Sequence, residues 1–166
     1  MPQQHKPASI AILQAGFLAG SLDIATALLQ FYCTTGKSPL KVLNFIASGL
    51  LGKDALAKGA FVNEWWLPVL GLLLHFMIAF IFTLLFFWLC PKIKGLANSP
   101  IITGLVYGII VWLVMNLLVV PLSNIPKFPF DAWKAAQGLV ILMLMVGLPI
   151  SFIISGYYKR KAAGIK

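Results

Sequence analysis

The stretch AGFLAGSLDIATALLQ, Ala15–Gln30, decides how this chain folds. It is apolar enough for hydrocarbon, yet a carboxylate, Asp23, stands near its middle. Followed outward, the apolar run extends from Ser9 to Tyr32, more than the roughly 20 residues a helix needs to cross a bilayer. Three comparable runs follow, at Trp65–Leu89, Ile101–Leu122 and Trp133–Tyr158. Of the 166 residues 60% are hydrophobic and 10% charged, with a mean hydropathy of +0.94. Soluble domains carry about a quarter charged residues. The expectation is therefore an all-α polytopic membrane protein, one membrane domain over 1–166. Its four transmembrane helices are placed at 9–32, 65–89, 101–122 and 133–158, and a basic tail at 159–166.

The first run reads as a retained span rather than a secretory leader. It exceeds the roughly 7 to 15 residues of a leader's apolar region, and Asp23, just ahead of Ala25-Thr26-Ala27, is a poor end for one. Aromatic residues mark the span ends, with Trp65, Trp66 and Trp133 on one side and Trp88, Tyr157 and Tyr158 on the other. With four spans the two termini share a side, which holds Lys6, Lys92, Lys94, Lys159, Arg160, Lys161 and Lys166 and no acid. The opposite side has six lysines diluted by Asp54, Glu64 and Asp131. The compact basic clusters favour cytoplasmic termini. They also explain the net charge of +9 through anionic lipid headgroups, without nucleic acid, since no basic stripe is interleaved with aromatics.

One connection is long enough to hold structure of its own. Residues 38–59 contain SPLKVLNFIASGLLG, where Ser38 is placed to cap, Pro39 suits a first helical position, and Gly49 and Gly52 offer stops. Leu40, Leu43, Ala47 and Leu50 share one face, and Lys41, Asn44 and Ser48 another. This predicts a short amphipathic helix at the outer face that either seals the bundle or gates it. Asp54 and Lys58, four apart, are expected to pair on a further turn. Three prolines in VVPLSNIPKFPFDAW stop the third span, and Pro149 is expected to bend the fourth.

Helical spacing gives each span a packing face. Gly16 and Gly20 lie with Asp23, Ala27 and Gln30, Gly71 lies with His75, Ala79 and Thr83, and Gly104 and Gly108 form a G-x-x-x-G arrangement. The candidate intramembrane polar site comprises Asp23, His75, Asn116, Gln137, Gln30 and Thr26. At about 1.5 Å of rise per residue, Asp23 and His75 lie about 14 and 15 Å from their outer span ends, Asn116 about 9 Å and Gln137 about 6 Å. They are expected to converge in the outer half of the bundle. An unpaired charge at mid-bilayer costs roughly 3 kcal/mol, so Asp23 must be neutral, hydrated or matched. It serves either a proton-titratable pocket or an interhelical clamp with His75.

Other chemistry finds no support. Two histidines, one of them His5 in the N-terminal tail, make neither a metal site nor a haem site, and no cofactor is expected. No nucleophile motif accompanies any serine, so an enzyme is not expected. Cys33 and Cys90 fall at opposite span ends, out of reach of a bridge.

Several phrases together, namely Asp23 in the first span, IASGLLG (46–52), LHFMIAF (74–80), GLVYG (104–108), VVPLS (119–123) and GLPISF (147–152), resemble an uncharacterised family of small bacterial inner-membrane proteins with four predicted spans. The stretch from His75 to Pro121 is more distantly similar to the YagU-like inner-membrane proteins. The resemblance implies a bacterial inner membrane and four helices; it implies no reaction. Two roles follow for the sequence: an accessory or assembly subunit of a larger membrane complex, or a small proton-linked transporter or solute-binding protein, alone or as a homo-oligomer, with an Asp23 and His75 pocket open to the outer side.

Overall fold

The computed structural model describes residues 7–52, 65–92, 99–125, 129 and 131–164. They form α1 (Ala8–Thr35), α2 (Leu40–Leu51), α3 (Trp66–Leu89), α4 (Pro100–Leu122) and α5 (Ala132–Ala162), with no strand among the described residues. Four of these helices, all but α2, are long and apolar enough to cross a membrane. The chain is an all-α, multi-pass membrane protein. The expected pair of Asp54 and Lys58 lies outside the described residues.

Local chemistry sets the helix ends. α1 runs past its apolar stretch to Thr35 and stops at Gly36, whose φ of 66° is left-handed and whose N–H donates to Tyr32 O. Asp131 starts α5, its carboxylate accepting from the N–H of Trp133 at 3.0 Å and of Lys134 at 3.2 Å. The Lys134 backbone N–H, more than any other neighbour, holds the Asp131 carboxyl below the usual carboxylate range. At its other end Lys159, Arg160 and Lys161 complement the helix dipole.

α2 departs from expectation in its start and its orientation. Ser38 makes no side-chain cap; the helix begins at Leu40 after Pro39, runs through Gly49, and ends at Gly52. Its buried residues are Leu43, Ala47 and Ser48, while Leu40 and Leu50 are exposed. A helix this apolar has no strict outer face to give to water, and its exposed leucines suit lipid.

Pro121 stands one residue before the end of α4 at Leu122, as expected of a stop, whereas Pro149 is carried within α5. Before Pro121 the chain makes a π-helical segment at Met115–Val119, and before Pro149 another at Leu142–Gly147. In each, the residue preceding proline donates five positions back, Val120 to Met115 O and Leu148 to Met143 O. Proline's ring displaces the carbonyl four residues behind it, and one extra residue in the turn absorbs the conflict.

In packing, α1 lies against α3 and α5, α4 against α5, and α2 against α3. The core is in the half that holds the termini, where Ala15 and Ala19 of α1 admit Phe82 and Phe86 of α3, Tyr107 of α4, and Ile150 and Ile154 of α5. Tyr107 bridges α4 to α3, its hydroxyl donating to Phe82 O at 2.6 Å and its ring 4.7 Å from Phe86. Ser151 Oγ donates to Pro100 O at 2.8 Å, tying α5 to the start of α4.

Glycines permit the closest approaches. A methyl group on Gly147 would meet Gly104 O, one on Gly108 would meet Met143 Cα, and one on Gly71 would meet the Leu43 carbonyl of α2. Gly71 thus receives α2 rather than another span. On α1, Gly16 and Gly20 receive the rings of Phe80 and Phe76.

Two predictions follow from these contacts. Gly147→Ala should lower thermal stability by about 1 to 3 kcal/mol, because backbone atoms cannot rotate aside. Gly156→Ala, whose added methyl meets nothing nearer than Arg160 Nη1 at 3.9 Å, should leave the melt unchanged or raise it. For the cap, Asp131→Ala should speed amide exchange at Trp133 and Lys134 while Asp131→Asn preserves protection. With its pKa lowered by folding, the cap contributes stability above the ordinary carboxylate pKa and loses it as pH falls through the lowered value, so protection should persist in mild acid.

Candidate functional site

On the side of the core away from the termini the helices enclose a cavity of about 420 Å³. All five contribute: Asp23 and Ala27 from α1, Phe45 and Gly49 from α2, His75 and Phe82 from α3, Met115 and Val119 from α4, Leu142 and Val146 from α5. Its walls on α4 and α5 come largely from the two π-helical segments, which widen those helices at this level. Wide turns of this kind recur at functional sites because they re-aim side chains that a regular helix would turn elsewhere.

α2 lines one side of the cavity and is held toward both its ends. Its Leu43 backbone rests on Gly71 of α3. Toward its C-terminus, the Asn124 N–H donates to Gly49 O at 3.0 Å and the Asn124 side-chain amide to Leu50 O at 3.4 Å, joining α2 to the chain just after α4. These bonds satisfy carbonyls that the last turn of a helix leaves open.

Asp23 and His75 are the two ionisable lining residues, and they lie near enough to interact electrostatically. His75 is anchored on α1 rather than on the aspartate, its Nε2 2.9 Å from Gly20 O. A carbonyl only accepts, so Nε2 carries hydrogen and Nδ1 is the position free to gain or lose a proton. Gly20 is one turn from Asp23, so this bond sets the imidazole beside the carboxyl group. No described residue donates a hydrogen bond to Asp23. The remaining polar lining residue, Ser123, is occupied, donating to Val120 O at 2.8 Å and accepting from the Ile125 N–H at 3.5 Å.

The other expected members of the polar site lie elsewhere. Gln30 and Gln137 do meet, Nε2 to Oε1 at 3.2 Å, but in a separate groove between α1 and α5 that Thr26 and Trp133 also line. Thr26 turns its hydroxyl back to Leu22 O of its own helix at 2.7 Å. Asn116 is exposed and donates to Trp112 O at 2.9 Å. Similar depth was not enough: Met115 and Val119 line the cavity while Asn116, between them in the chain, is exposed. Compared with protein-family models, curated proteins and solved structures, the chain matches none.

The geometry separates anchor from free acid. His75→Leu should loosen the α1–α3 seam and lower stability by about 1 kcal/mol, the usual worth of an interhelical hydrogen bond. Asp23→Asn should leave the melting temperature unchanged or raised, because no described side chain loses a hydrogen bond and an intramembrane ionisable group is removed.

Proposed function

We propose that this protein binds a small solute in the cavity beneath α2 and couples that binding to protonation at Asp23 and His75, as a small proton-linked transporter or solute-binding membrane protein does. The observation that carries the reading is a carboxyl group with no hydrogen-bond donor among the described residues, set in a cavity within the roughly 300–1,000 Å³ range of small-molecule sites. Ionisable groups at membrane depth are costly and as a rule mark pathways or ligand sites. The seat is a bacterial inner membrane with both termini cytoplasmic, supported by the basic clusters at the terminal ends and by the likeness to four-span bacterial proteins. Anionic headgroups are the partners of those clusters.

A second reading, an accessory subunit of a larger complex or a homo-oligomer, is favoured by the α1–α5 groove. There the paired amides of Gln30 and Gln137 lie beside exposed Leu29 and Trp133, a surface on which another helix finds polar partners.

The mass of the native particle, extracted in mild detergent with whatever small molecules it retains, decides between them. A particle of 18.1 kDa or a simple multiple is expected. Its retained solute should be lost in Ala27→Phe, which fills the cavity beside Asp23. A stoichiometric particle with other subunits and no retained solute would move the function to the complex.

A further inference from the structure

We infer that the solute is a lipophilic amine, bound as its ammonium ion in exchange for a proton. The inference rests on the cavity being a solute site and goes on to its chemistry. Polar capacity inside the cavity is all of one kind. Ser123 is engaged at both its donor and its acceptor, and Nε2 of His75 is engaged on Gly20 O. What remains is the Asp23 carboxylate and Nδ1 of His75. Both accept hydrogen bonds when Asp23 is ionised and the imidazole neutral. A ligand that satisfies this site must bring the donors, and in a setting this apolar it must also bring the compensating charge. An ammonium group brings both, as a charge-assisted hydrogen bond to the carboxylate. Phe45 and Phe82 in the wall add aromatic rings, which attract cations over their faces. The rest of the lining is aliphatic and suits an apolar body.

The charge balance makes the exchange explicit. Among the lining residues of all five helices, Asp23 and His75 alone are ionisable. With the cavity empty, one proton held between Asp23 and His75 keeps the site neutral. When an ammonium ion arrives at Asp23, a second positive charge has no counterpart, so that proton departs. One cation replaces another, and the net charge of the site is zero before and after.

The test uses the full chain in detergent, with naphthylmethylamine and its neutral isostere naphthylmethanol as probes. Titration calorimetry is run from about pH 5 to about pH 8, where histidine changes charge, in buffers of different ionisation enthalpy. The amine should bind at least about tenfold more tightly than the alcohol, as a charge-assisted hydrogen bond allows. Binding should release up to about one proton per amine, most toward the acid end. Asp23→Asn should bind the two probes alike and release no proton. Ala27→Phe, which keeps both ionisable groups, should bind neither. If the alcohol binds as well as the amine, or the amine binds without proton release, the amine exchange is wrong although the solute site stands. If neither probe binds, the amine assignment is overturned, while the retained solute of the native particle still judges the solute site separately.

Discussion

Within a bilayer every peptide group must find its hydrogen-bond partner inside the protein. In this chain that constraint meets two prolines, Pro121 and Pro149, placed within spans. A soluble helix could break at either and let water satisfy the loose ends. Here each helix takes in an extra residue ahead of its proline, the N–H groups of Val120 and Leu148 reaching back five positions instead of four; α5 then continues, while α4 ends at Leu122. Both widened turns contribute to the cavity wall. Elsewhere α4 and α5 are pressed together at Gly104, Gly108 and Gly147. Close contact along one seam and widened turns beside it leave room that a bundle of regular helices would fill with side chains.

Asp23 depends on that room. A carboxylate facing lipid would cost several kcal/mol, and one facing a packed core without donors would cost more. Facing a cavity, it keeps space for a counter-ion or a ligand, and His75 supplies a titratable neighbour without closing on it. The anchor of His75 on Gly20 matters here, because an imidazole free to rotate could form a closed pair with the carboxylate. Small residues on α1 serve this arrangement too: Gly20 admits Phe76, and its carbonyl is open to α3 because no side chain covers it.

The spans were legible in the sequence because hydropathy over some twenty residues outweighs any local preference, and the structure differs from the reading only at their ends. Asp131, with a side chain that caps, explains why α5 begins where it does. The glycine faces were legible as packing faces, though not their partners: nothing in the spacing of Gly71 reveals that α2 lies across it. For the polar site, depth could be computed from the sequence but direction around the helix axis could not. Asn116 therefore seemed level with Asp23 while pointing away from it, and Gln30 with Gln137 formed a pair of their own. The π-helical segments did leave a signal, since each is an apolar turn followed by a proline, yet proline alone reads equally well as a kink or a stop. For α2 the period of its apolar residues was visible and its rotation was not, because a helix bounded by lipid on one side and protein on the other has apolar residues all round.

The cysteines are the least eventful residues in the sequence, yet their placement makes the molecule chemically asymmetric. Cys33 stands exposed on the last turn of α1, at the end remote from the termini, and Cys90 is buried just beyond α3 at the opposite end. The native chain therefore carries a single accessible thiol whose side of the membrane follows the whole topology. A membrane-impermeant thiol reagent applied to intact cells, and then to opened ones, reads the sidedness of the protein without a tag or an altered residue.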